Sequence, residues 1–183
     1  MVTIRNIGVF GRGDVSSESQ EYRQAVVMGR LLSESGYTVV NGGYGGIMEA
    51  VSRGASESGG KVLGVISDVF PGRSPNKYLT STIGSATLFE RTEHLINNSD
   101  AFIALSPRTG TAWEVITLLT LRKAGLIEQV PLILVGHPWK DLVVDLGKLA
   151  VVDDFLLKWP ACVSSPEEAL DILNSLIVAE KAE

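Results

Sequence analysis

Glycine-rich turns follow short apolar runs at three places in this 183-residue chain, and that arrangement leaves few folds open. Five apolar runs are present, and none alternates regularly with polar residues. They are Ile7–Phe10, Thr38–Val40, Val62–Ile66, Ala101–Leu105 and Leu132–Val135. Runs of this kind are typical of strands covered on both faces, and therefore of a parallel sheet.

Stretches with helical spacing of apolar residues separate these runs. The predicted helices cover Glu18–Glu34, Gly46–Glu57, Glu90–Asn97, Thr111–Ala124 and Pro166–Ala179. Alternation of strand and helix predicts an α/β fold in which a doubly wound parallel sheet carries helices on both faces. The length predicts a single domain over residues 1–183.

Smaller signals predict where elements end. Ser17 or Ser16 suits the N-cap of the first helix, and Gly36 suits its left-handed C′ position. The irregular stretch Ser67–Ser81 predicts a mobile rim over a site, because long loops in compact domains are usually functional or poorly ordered. The segment Leu142–Pro160 predicts a helix, a loop and a short strand.

Composition narrows the classes of protein. The 16 basic and 21 acidic side chains give a net charge of −5, which argues against nucleic acid or an anionic membrane as partner. The single Cys162 excludes an intramolecular disulfide, and two histidines without ligand spacing predict no metal site. No apolar run approaches the ~20 residues that span a bilayer, and Met1–Arg5 does not begin a signal peptide, so we expect a cytoplasmic protein.

Three turns lie where ligands bind in such sheets, at the carboxyl ends of the strands. We call them the Gly11 turn (Gly11–Asp14), the Gly42 turn (Asn41–Gly46) and the Gly110 turn (Ser106–Thr111). Each strand is predicted to lead through its turn into a helix N-terminus, where backbone N–H groups and the helix dipole attract phosphate or carboxylate. A single glycine turn is also common for purely structural reasons, whereas three at one sheet edge favour an anion site.

Familiar nucleotide-binding motifs are incomplete here. Ser16 occupies the last glycine position of a dinucleotide fingerprint, and neither glycine turn supplies the lysine of a P-loop. A nicotinamide dehydrogenase and an NTPase are therefore disfavoured without being eliminated. No G-x-S-x-G motif of a serine hydrolase occurs.

Arg91 and Glu114 are candidates for the chemistry. We expect Arg91 to begin the helix before the fourth strand, and Glu114 to lie in the first turn of the next helix. A solvated arginine and a carboxylate that complements the helix dipole are the structural alternatives. A carboxylate aimed at the crevice can instead contact a sugar, orient water or stabilise an oxocarbenium ion.

In combination these residues resemble a known family. The stretch Asn41–Ala50 is similar to the G-G-G-x-x-G-x-M element of the "lonely guy" family, also labelled "possible lysine decarboxylase", which includes molybdenum-cofactor carrier proteins. Phe89–Thr92, Asp100–Leu105 and Gly110–Glu114 resemble its second signature. Order and spacing agree from about Ile7 to Val135.

The resemblance implies a Rossmann-like homodimer with sites near the protomer interface. It also implies hydrolysis of the N-glycosidic bond of a nucleoside 5′-monophosphate to free base and ribose 5-phosphate, with Arg91 and Glu114 as catalytic residues. The candidate phosphate- and nucleotide-binding residues are Gly11, Arg12, Gly13, Gly42, Gly43, Gly45, Gly46, Met48, Arg108, Thr109, Gly110 and Thr111. No cofactor is expected, since the seven scattered lysines offer no pyridoxal-phosphate site for a decarboxylase.

One departure keeps a second function open. Ser106-Pro107-Arg108-Thr109 replaces a family turn with two further glycines, so one N–H is lost at the proline and a charged fork is gained at Arg108. This change favours a non-catalytic carrier of a phosphorylated ligand, either a nucleotide or the molybdenum cofactor. A dimeric scaffold with vestigial pockets is the third alternative. We predict the dimer from apolar residues on several sides of two helices, namely Val51, Trp113, Leu118 and Leu121.

Overall fold

The computed structural model describes residues 4–128, 130–150 and 152–180, with the backbone alone at 177–180. Its strands are β1 (Asn6–Phe10), β2 (Thr38–Asn41), β3 (Val62–Ser67), β4 (Ser81–Ser85), β5 (Ala101–Leu105), β6 (Leu132–Val135) and β7 (Ala161–Val163). Its helices are α1 (Gln20–Glu34), α2 (Ile47–Glu57), α3 (Leu88–Asn97), α4 (Thr109–Lys123), α5 (His137–Lys148), α6 (Asp154–Leu157) and α7 (Pro166–Glu180).

The strands form one sheet in the order β4-β3-β2-β1-β5-β6-β7, and neighbouring strands pair in parallel. From β1 the chain winds outward through β2 and β3 to β4, then returns to place β5 on the other side of β1. A crevice therefore opens at the carboxyl ends of β1 and β5, where the winding reverses. The predicted α/β architecture, doubly wound and Rossmann-like, is confirmed.

Each face of the sheet carries its own apolar layer. Successive residues of β1 point to opposite faces, so Ile7 and Val9 pack with α1, α2 and α7, whereas Phe10 packs with the α3, α4 and α5 side. Phe10 stacks on Phe102 of β5 with ring centroids 5.5 Å apart. Burial on both faces explains why the central strands lack polar alternation.

Of the two edge strands, β4 was not predicted from the sequence, and β7 lies just after the segment in which a short strand was predicted. β4 reads Ser-Thr-Ile-Gly-Ser and is largely exposed, and the three-residue β7 pairs with β6 at the opposite edge. The predicted irregular stretch is consequently shorter, because Ser67 belongs to β3 and Ser81 to β4. The segment Leu142–Pro160 contains most of α5 and all of α6, and the short strand follows it as β7.

The predicted N-cap of α1 was wrong. The helix begins at Gln20, and Ser19 caps it by accepting a hydrogen bond from the Tyr22 N–H at 3.1 Å. Ser16 instead uses its carbonyl oxygen to close a turn with the Ser19 N–H. Gly36 has φ +83° directly after the helix, so the predicted left-handed C′ position is confirmed.

Two glycines let α1 and α2 pack backbone against backbone. A Cβ atom on Gly29 would overlap the Val51 carbonyl oxygen, and one on Gly54 would overlap the Val26 carbonyl oxygen. Any side chain at either position would push the helices apart. This close contact fixes α2, and with it the Gly42 turn from which α2 starts.

The residues used to predict a dimer divide into two groups. Val51 and Leu118 are fully buried in the core of the chain itself, so they supply no surface for a partner. Trp113 and Leu121 line an open apolar groove between α3 and α4. No described helix is long and apolar enough to cross a bilayer, and residues 1–3, on which the signal-peptide expectation rests, lie outside the described part.

Candidate functional site

The Gly11 and Gly42 turns are in direct backbone contact at the crevice. The Ile47 N–H donates a hydrogen bond to the Arg12 carbonyl oxygen at 2.9 Å, which joins the start of α2 to the Gly11 turn. Gly46 adopts φ +67°, and a Cβ atom there would lie 2.6 Å from that same oxygen. Glycine at position 46 is therefore required both by its φ and by this close approach.

A buried asparagine holds the Gly42 turn in shape. Asn41 Oδ1 accepts a hydrogen bond from the Gly43 N–H at 2.8 Å, and Asn41 Nδ2 donates to Ser52 Oγ at 2.9 Å. Nδ2 also donates to the Met48 carbonyl oxygen at 3.3 Å. The side chain thus ties the turn to the first two turns of α2, so the geometry of the turn is fixed before any ligand binds.

Arg91 reaches the crevice from α3. The prediction that it begins this helix was wrong, because α3 starts at Leu88 and Arg91 lies one turn in. Its side chain is only 7% exposed. Nε donates to the Val65 carbonyl oxygen at 2.9 Å, and Nη2 donates to the Gly42 carbonyl oxygen at 3.0 Å. Burial lowers the pKa of this guanidinium, and the neighbouring Glu114 acts in the opposite direction.

Gly42 and Met48 make room for this arginine. A Cβ atom on Gly42 would overlap Arg91 Nη2 and would lie 2.7 Å from Met48 Sδ. Met48 Sδ itself lies 3.9 Å from Nη2. Gly42 and Met48, which the sequence analysis gives as nucleotide-binding candidates, therefore contact Arg91 and restrict where its guanidinium can lie.

Glu114 faces Arg91 from α4. The prediction that it lies in the first helical turn was wrong, because Arg108 is the N-cap, the helix begins at Thr109, and Glu114 falls in the second turn. Its carboxylate Oε1 is 3.9 Å from Arg91 Nη1, and its side chain is 13% exposed. Burial raises the pKa of Glu114 to about 7, against the opposing effect of Arg91.

The Gly110 turn presents uncapped backbone donors. Ser106 has φ +40°, Arg108 is extended, and the Arg108 side chain is exposed and makes no capping hydrogen bond. The N–H groups in the first turn of α4, at Thr109, Gly110 and Thr111, have no intrahelical acceptor. No acidic side chain lies in the first turn of α4, so the positive end of its helix dipole is not neutralised there. Such a helix start attracts an anion. A Cβ atom on Gly110 would meet nothing within 4 Å, so packing does not require glycine there.

Arg12 is not a free cation, contrary to the simplest interpretation of its turn. Its Nε and Nη2 donate to the two carboxylate oxygens of Asp14 at 2.8 and 3.2 Å. This bidentate pair lowers the pKa of Asp14, and Arg108 adds a smaller effect in the same direction. Of the two turn arginines that the sequence singled out, Arg108 is the one without a paired carboxylate in the described part of the chain.

Sequence reasoning missed the side chains that cover this site. Residues 68–80, here named the β3–β4 loop, were predicted only as a rim. The loop brings Phe70 to the Tyr44 ring, edge to face, with centroids 5.6 Å apart. The guanidinium of Arg91 lies 5.6 Å from the Phe70 ring centre. The available signal was the sequence Phe70-Pro71-Gly72-Arg73, which puts an aromatic residue and an arginine close together in a long loop after a strand.

Within the described residues, no three His, Cys, Asp or Glu side chains come together in a group that could hold a metal ion. The site instead combines one buried arginine, one carboxyl group whose pKa is raised to about 7 by burial, and one uncapped helix start. The helix start and the arginine can bind an anionic ligand, and the carboxyl group can exchange a proton with it.

Comparisons with known proteins found relatives over most of the chain. A model of the SLOG cluster4 family matches residues 4–135. An uncharacterized protein of Archaeoglobus fulgidus is 30% identical over 135 residues, which cover 73% of this chain and 85% of that protein. The cytokinin riboside 5′-monophosphate phosphoribohydrolase of Rhodococcoides fascians is 29% identical over 158 residues, covering 84% of this chain and 79% of the relative. A probable enzyme of the same name from Oryza sativa is 28% identical, covering 79% of this chain and 65% of the relative.

Solved structures show the same fold. The molybdenum cofactor binding protein of Rippkaea orientalis has a TM-score of 0.78 at 22% identity, covering 97% of this chain and 99% of that one. The Moco carrier protein of Chlamydomonas reinhardtii has a TM-score of 0.74 at 21% identity, with the same coverage. At these identities the likeness extends to the architecture alone.

Proposed function

Because the chain belongs to the SLOG cluster4 family, we propose that it is a phosphoribohydrolase acting on a nucleoside 5′-monophosphate. Its products are the free base and ribose 5-phosphate. The observation that carries the proposal is the pairing of Arg91 with Glu114 at the crevice, where the carboxyl has a pKa of about 7. A general base works best when its pKa lies near the pH of the reaction.

The two groups have complementary tasks in this reaction. The distance of 3.9 Å between Arg91 Nη1 and Glu114 Oε1 exceeds a hydrogen bond, so each group keeps hydrogen-bonding capacity toward a substrate or a water. The water oxygen bonds to C1′ of the ribose as the N-glycosidic bond breaks, and the bond's electron pair goes to the base nitrogen. Glu114 accepts the proton of the water, and its negative charge stabilises the oxocarbenium character of the sugar.

Arg91 acts on the leaving base. Its Nε and Nη2 are committed to carbonyl oxygens, which leaves Nη1 to donate a hydrogen bond to the base as negative charge develops on it. The proton taken up by Glu114 then passes to the base nitrogen, which restores the carboxylate and balances the reaction.

We assign the 5′-phosphate to the start of α4. The uncapped N–H groups of Thr109, Gly110 and Thr111 supply backbone donors, and Arg108 supplies a guanidinium that can replace the N–H absent at Pro107. The glycine contacts of the Gly11 and Gly42 turns shape the crevice that receives the rest of the nucleotide.

A carrier of a phosphorylated ligand is the second candidate, and the Ser106-Pro107-Arg108-Thr109 sequence favours it. Arg108 would then serve to retain an intact nucleotide or the molybdenum cofactor rather than to orient a substrate. The fold shared with the two molybdenum-cofactor proteins is compatible with this function.

The deciding experiment incubates the pure protein with a panel of nucleoside 5′-monophosphates and the matching nucleosides, and measures free base by chromatography. We expect base release that requires the 5′-phosphate and is lost in Glu114→Gln. The matched control is Glu34→Gln, which removes an exposed carboxylate on α1 and leaves the rate unchanged. Retention of intact nucleotide through gel filtration without base release would instead support the carrier.

We also propose that the protein is a homodimer that forms through the groove between α3 and α4. The groove is lined by Phe89, Ile96, Trp113, Leu121, Leu126 and Ile127. Phe89 is 79% exposed and Leu126 is 71% exposed, which is unfavourable for large apolar side chains left in water. Phe89 and Trp113 lie next to Glu90-Arg91 and to Glu114 in sequence, so this surface adjoins the proposed active site.

A further inference from the structure

The β3–β4 loop is attached to the Gly42 turn rather than hanging free over it. The Asn76 N–H donates to the Gly43 carbonyl oxygen at 2.8 Å, and Asn76 Nδ2 donates to the Tyr44 carbonyl oxygen at 3.0 Å. The Tyr44 hydroxyl donates to the Ser67 carbonyl oxygen and accepts from the Ser67 N–H, at 2.9 and 2.8 Å. Both ends of the loop are therefore fixed to the turn, and the residues between them are held over the crevice.

Two guanidinium groups lie close to one aromatic ring in this loop. The Arg73 guanidinium lies 5.1 Å from the Phe70 ring centre, and that of Arg91 lies 5.6 Å from it. Both contacts are favourable cation–π distances, but they bring two positive charges together. Arg73 forms no ion pair with an acidic side chain in the part of the chain that the structure describes.

Arg73 also reaches the opposite side of the crevice. Its Nη1 atom lies 3.7 Å from the position that a Cβ atom of Gly13 would occupy. The side chain therefore extends from the β3–β4 loop to the Gly11 turn, at the carboxyl end of β1. Arg12, in that turn, is paired with the Asp14 carboxylate. The Arg73 guanidinium has no such partner among the described residues, so its N–H groups are available to a ligand.

From this placement we propose that Arg73 is a ligand-binding residue that recognises the phosphate of the nucleotide. A planar guanidinium with an unpaired fork binds a phosphate through two parallel hydrogen bonds. A dianion placed there also offsets the repulsion between Arg73 and Arg91. The proposal rests on the proposed function only in assuming that the ligand is phosphorylated. It adds a phosphate contact from the β3–β4 loop, which lies outside the sequence motifs.

The contact would make the loop selective for phosphorylated ligands. Arg108 approaches the crevice from the start of α4 and Arg73 approaches it from the β3–β4 loop, so the phosphate meets cations from two separate segments. A nucleoside without phosphate would leave both guanidinium groups unpaired and gain nothing from either.

The test measures binding by calorimetry with AMP, ribose 5-phosphate and adenosine as probes, for the parent protein and three variants, all carrying Glu114→Gln so that AMP is not consumed during the titration. Arg73→Ala should weaken binding of AMP and ribose 5-phosphate by about 10- to 100-fold, and should leave adenosine binding nearly unchanged. Arg73→Lys should lie between the two, because lysine keeps the charge without the fork. The matched control is Lys77→Ala, since Lys77 is in the same loop with its ammonium 5.1 Å from the Tyr78 ring centre.

Several results would overturn the proposal. They are unchanged AMP affinity in Arg73→Ala, an equal loss for AMP and adenosine, an equal loss in Lys77→Ala, and failure of the parent protein to prefer AMP over adenosine. A parent protein with Glu114 intact that binds AMP without releasing adenine would contradict the phosphoribohydrolase proposal alone, and Arg73→Ala would still have to lose affinity for AMP. Thermal melting of each variant checks that the fold is intact, which we expect because Arg73 is exposed.

Discussion

Glu114 and Arg91 respond to burial in opposite ways at the residue scale. Burial raises the pKa of the carboxyl to about 7 and lowers that of the guanidinium, because in both cases it penalises the charged form. Arg91 recovers part of that cost through hydrogen bonds to two carbonyl oxygens. The carboxylate of Glu114 accepts no hydrogen bond within the described residues, so its proton affinity is set mainly by desolvation.

The first residue-scale prediction concerns the pH dependence of catalysis. If Glu114 is the base, kcat/KM for a nucleoside monophosphate should rise with pH through about 7, where the carboxyl loses its proton. Glu114→Gln should abolish this limb and lower the rate by about 10²- to 10⁴-fold. A second limb near pH 6, from the substrate phosphate, should remain in both proteins. Persistence of the limb near 7 in Glu114→Gln would exclude Glu114 as its source.

The second residue-scale prediction concerns stability. The folded pKa of Glu114, about 7, lies above the ordinary value of 4.5, so its contribution to stability is full below 4.5 and is lost as pH rises through about 7. Glu114→Gln stays neutral and should escape this loss. Its free energy of unfolding relative to the parent should therefore increase by about 2 to 3 kcal/mol between pH 5 and pH 8.

Urea denaturation at several pH values measures this difference. Glu34→Gln, at an exposed position on α1, should show no such change with pH. A difference between parent and Glu114→Gln that stays constant from pH 5 to pH 8 would mean that Glu114 is ionised in the folded protein throughout that range.

At the scale of elements, the Gly42 turn is the point where several segments of the fold meet. It ends at the start of α2, contacts the Gly11 turn through Gly46, and accepts the Arg91 side chain beside Gly42. It also receives the β3–β4 loop at Gly43 and Tyr44. A small change in this turn is therefore felt in three other segments.

The element-scale prediction compares two glycines of this turn. Gly42→Ala places a methyl group against Arg91 Nη2 and should destabilise the fold by about 1 to 3 kcal/mol, with loss of base release because Arg91 is displaced. Gly45→Ala should be nearly neutral in unfolding, since its nearest neighbours would be at 3.8 and 3.9 Å. Equal stability of the two variants would contradict the assigned packing of Arg91.

The sequence indicated the central elements better than the edges. Apolar runs predict β1, β2, β3, β5 and β6 because burial on both faces selects their composition. β4 is polar, and it forms because the open edge of β3 supplies backbone partners, which no local pattern reveals. The same limit applies to the site: Arg73 and Phe70 gain their positions from bonds between Asn76 and a turn more than thirty residues earlier.

At the scale of the whole molecule, the proposed dimer surface is the apolar groove between α3 and α4. The other exposed apolar residues include Phe155 on α6, which is 61% exposed and is not among the residues that line the groove. Single exposed residues of this kind are ordinary, whereas a lined groove predicts a partner.

The corresponding prediction is that light scattering at micromolar concentration gives a mass of twice 19.6 kDa for the parent protein. Phe89→Asp should give the monomer, because it places a charge in the groove. Phe155→Asp should leave the mass of the parent unchanged. A parent protein that is monomeric, or a Phe89→Asp variant that is still dimeric, would remove this groove as the interface.

Arg91 and Glu114 should be retained differently as such a chain diverges in evolution. Arg91 makes hydrogen bonds that stabilise the fold, whereas Glu114 is desolvated without a hydrogen bond among the described residues. Arg91 joins α3 to β3 and to the Gly42 turn, so selection for a stable fold is sufficient to keep it in a diverging chain. Because burial raises the pKa of Glu114 to about 7, we expect its ionisation to lower the stability of the folded state above that pH, and selection for stability alone would favour a neutral side chain there. Under the proposed function, Glu114 is therefore the residue whose loss would mark a relative that no longer cleaves nucleotides, because the fold itself gives no reason to keep a buried carboxylate there.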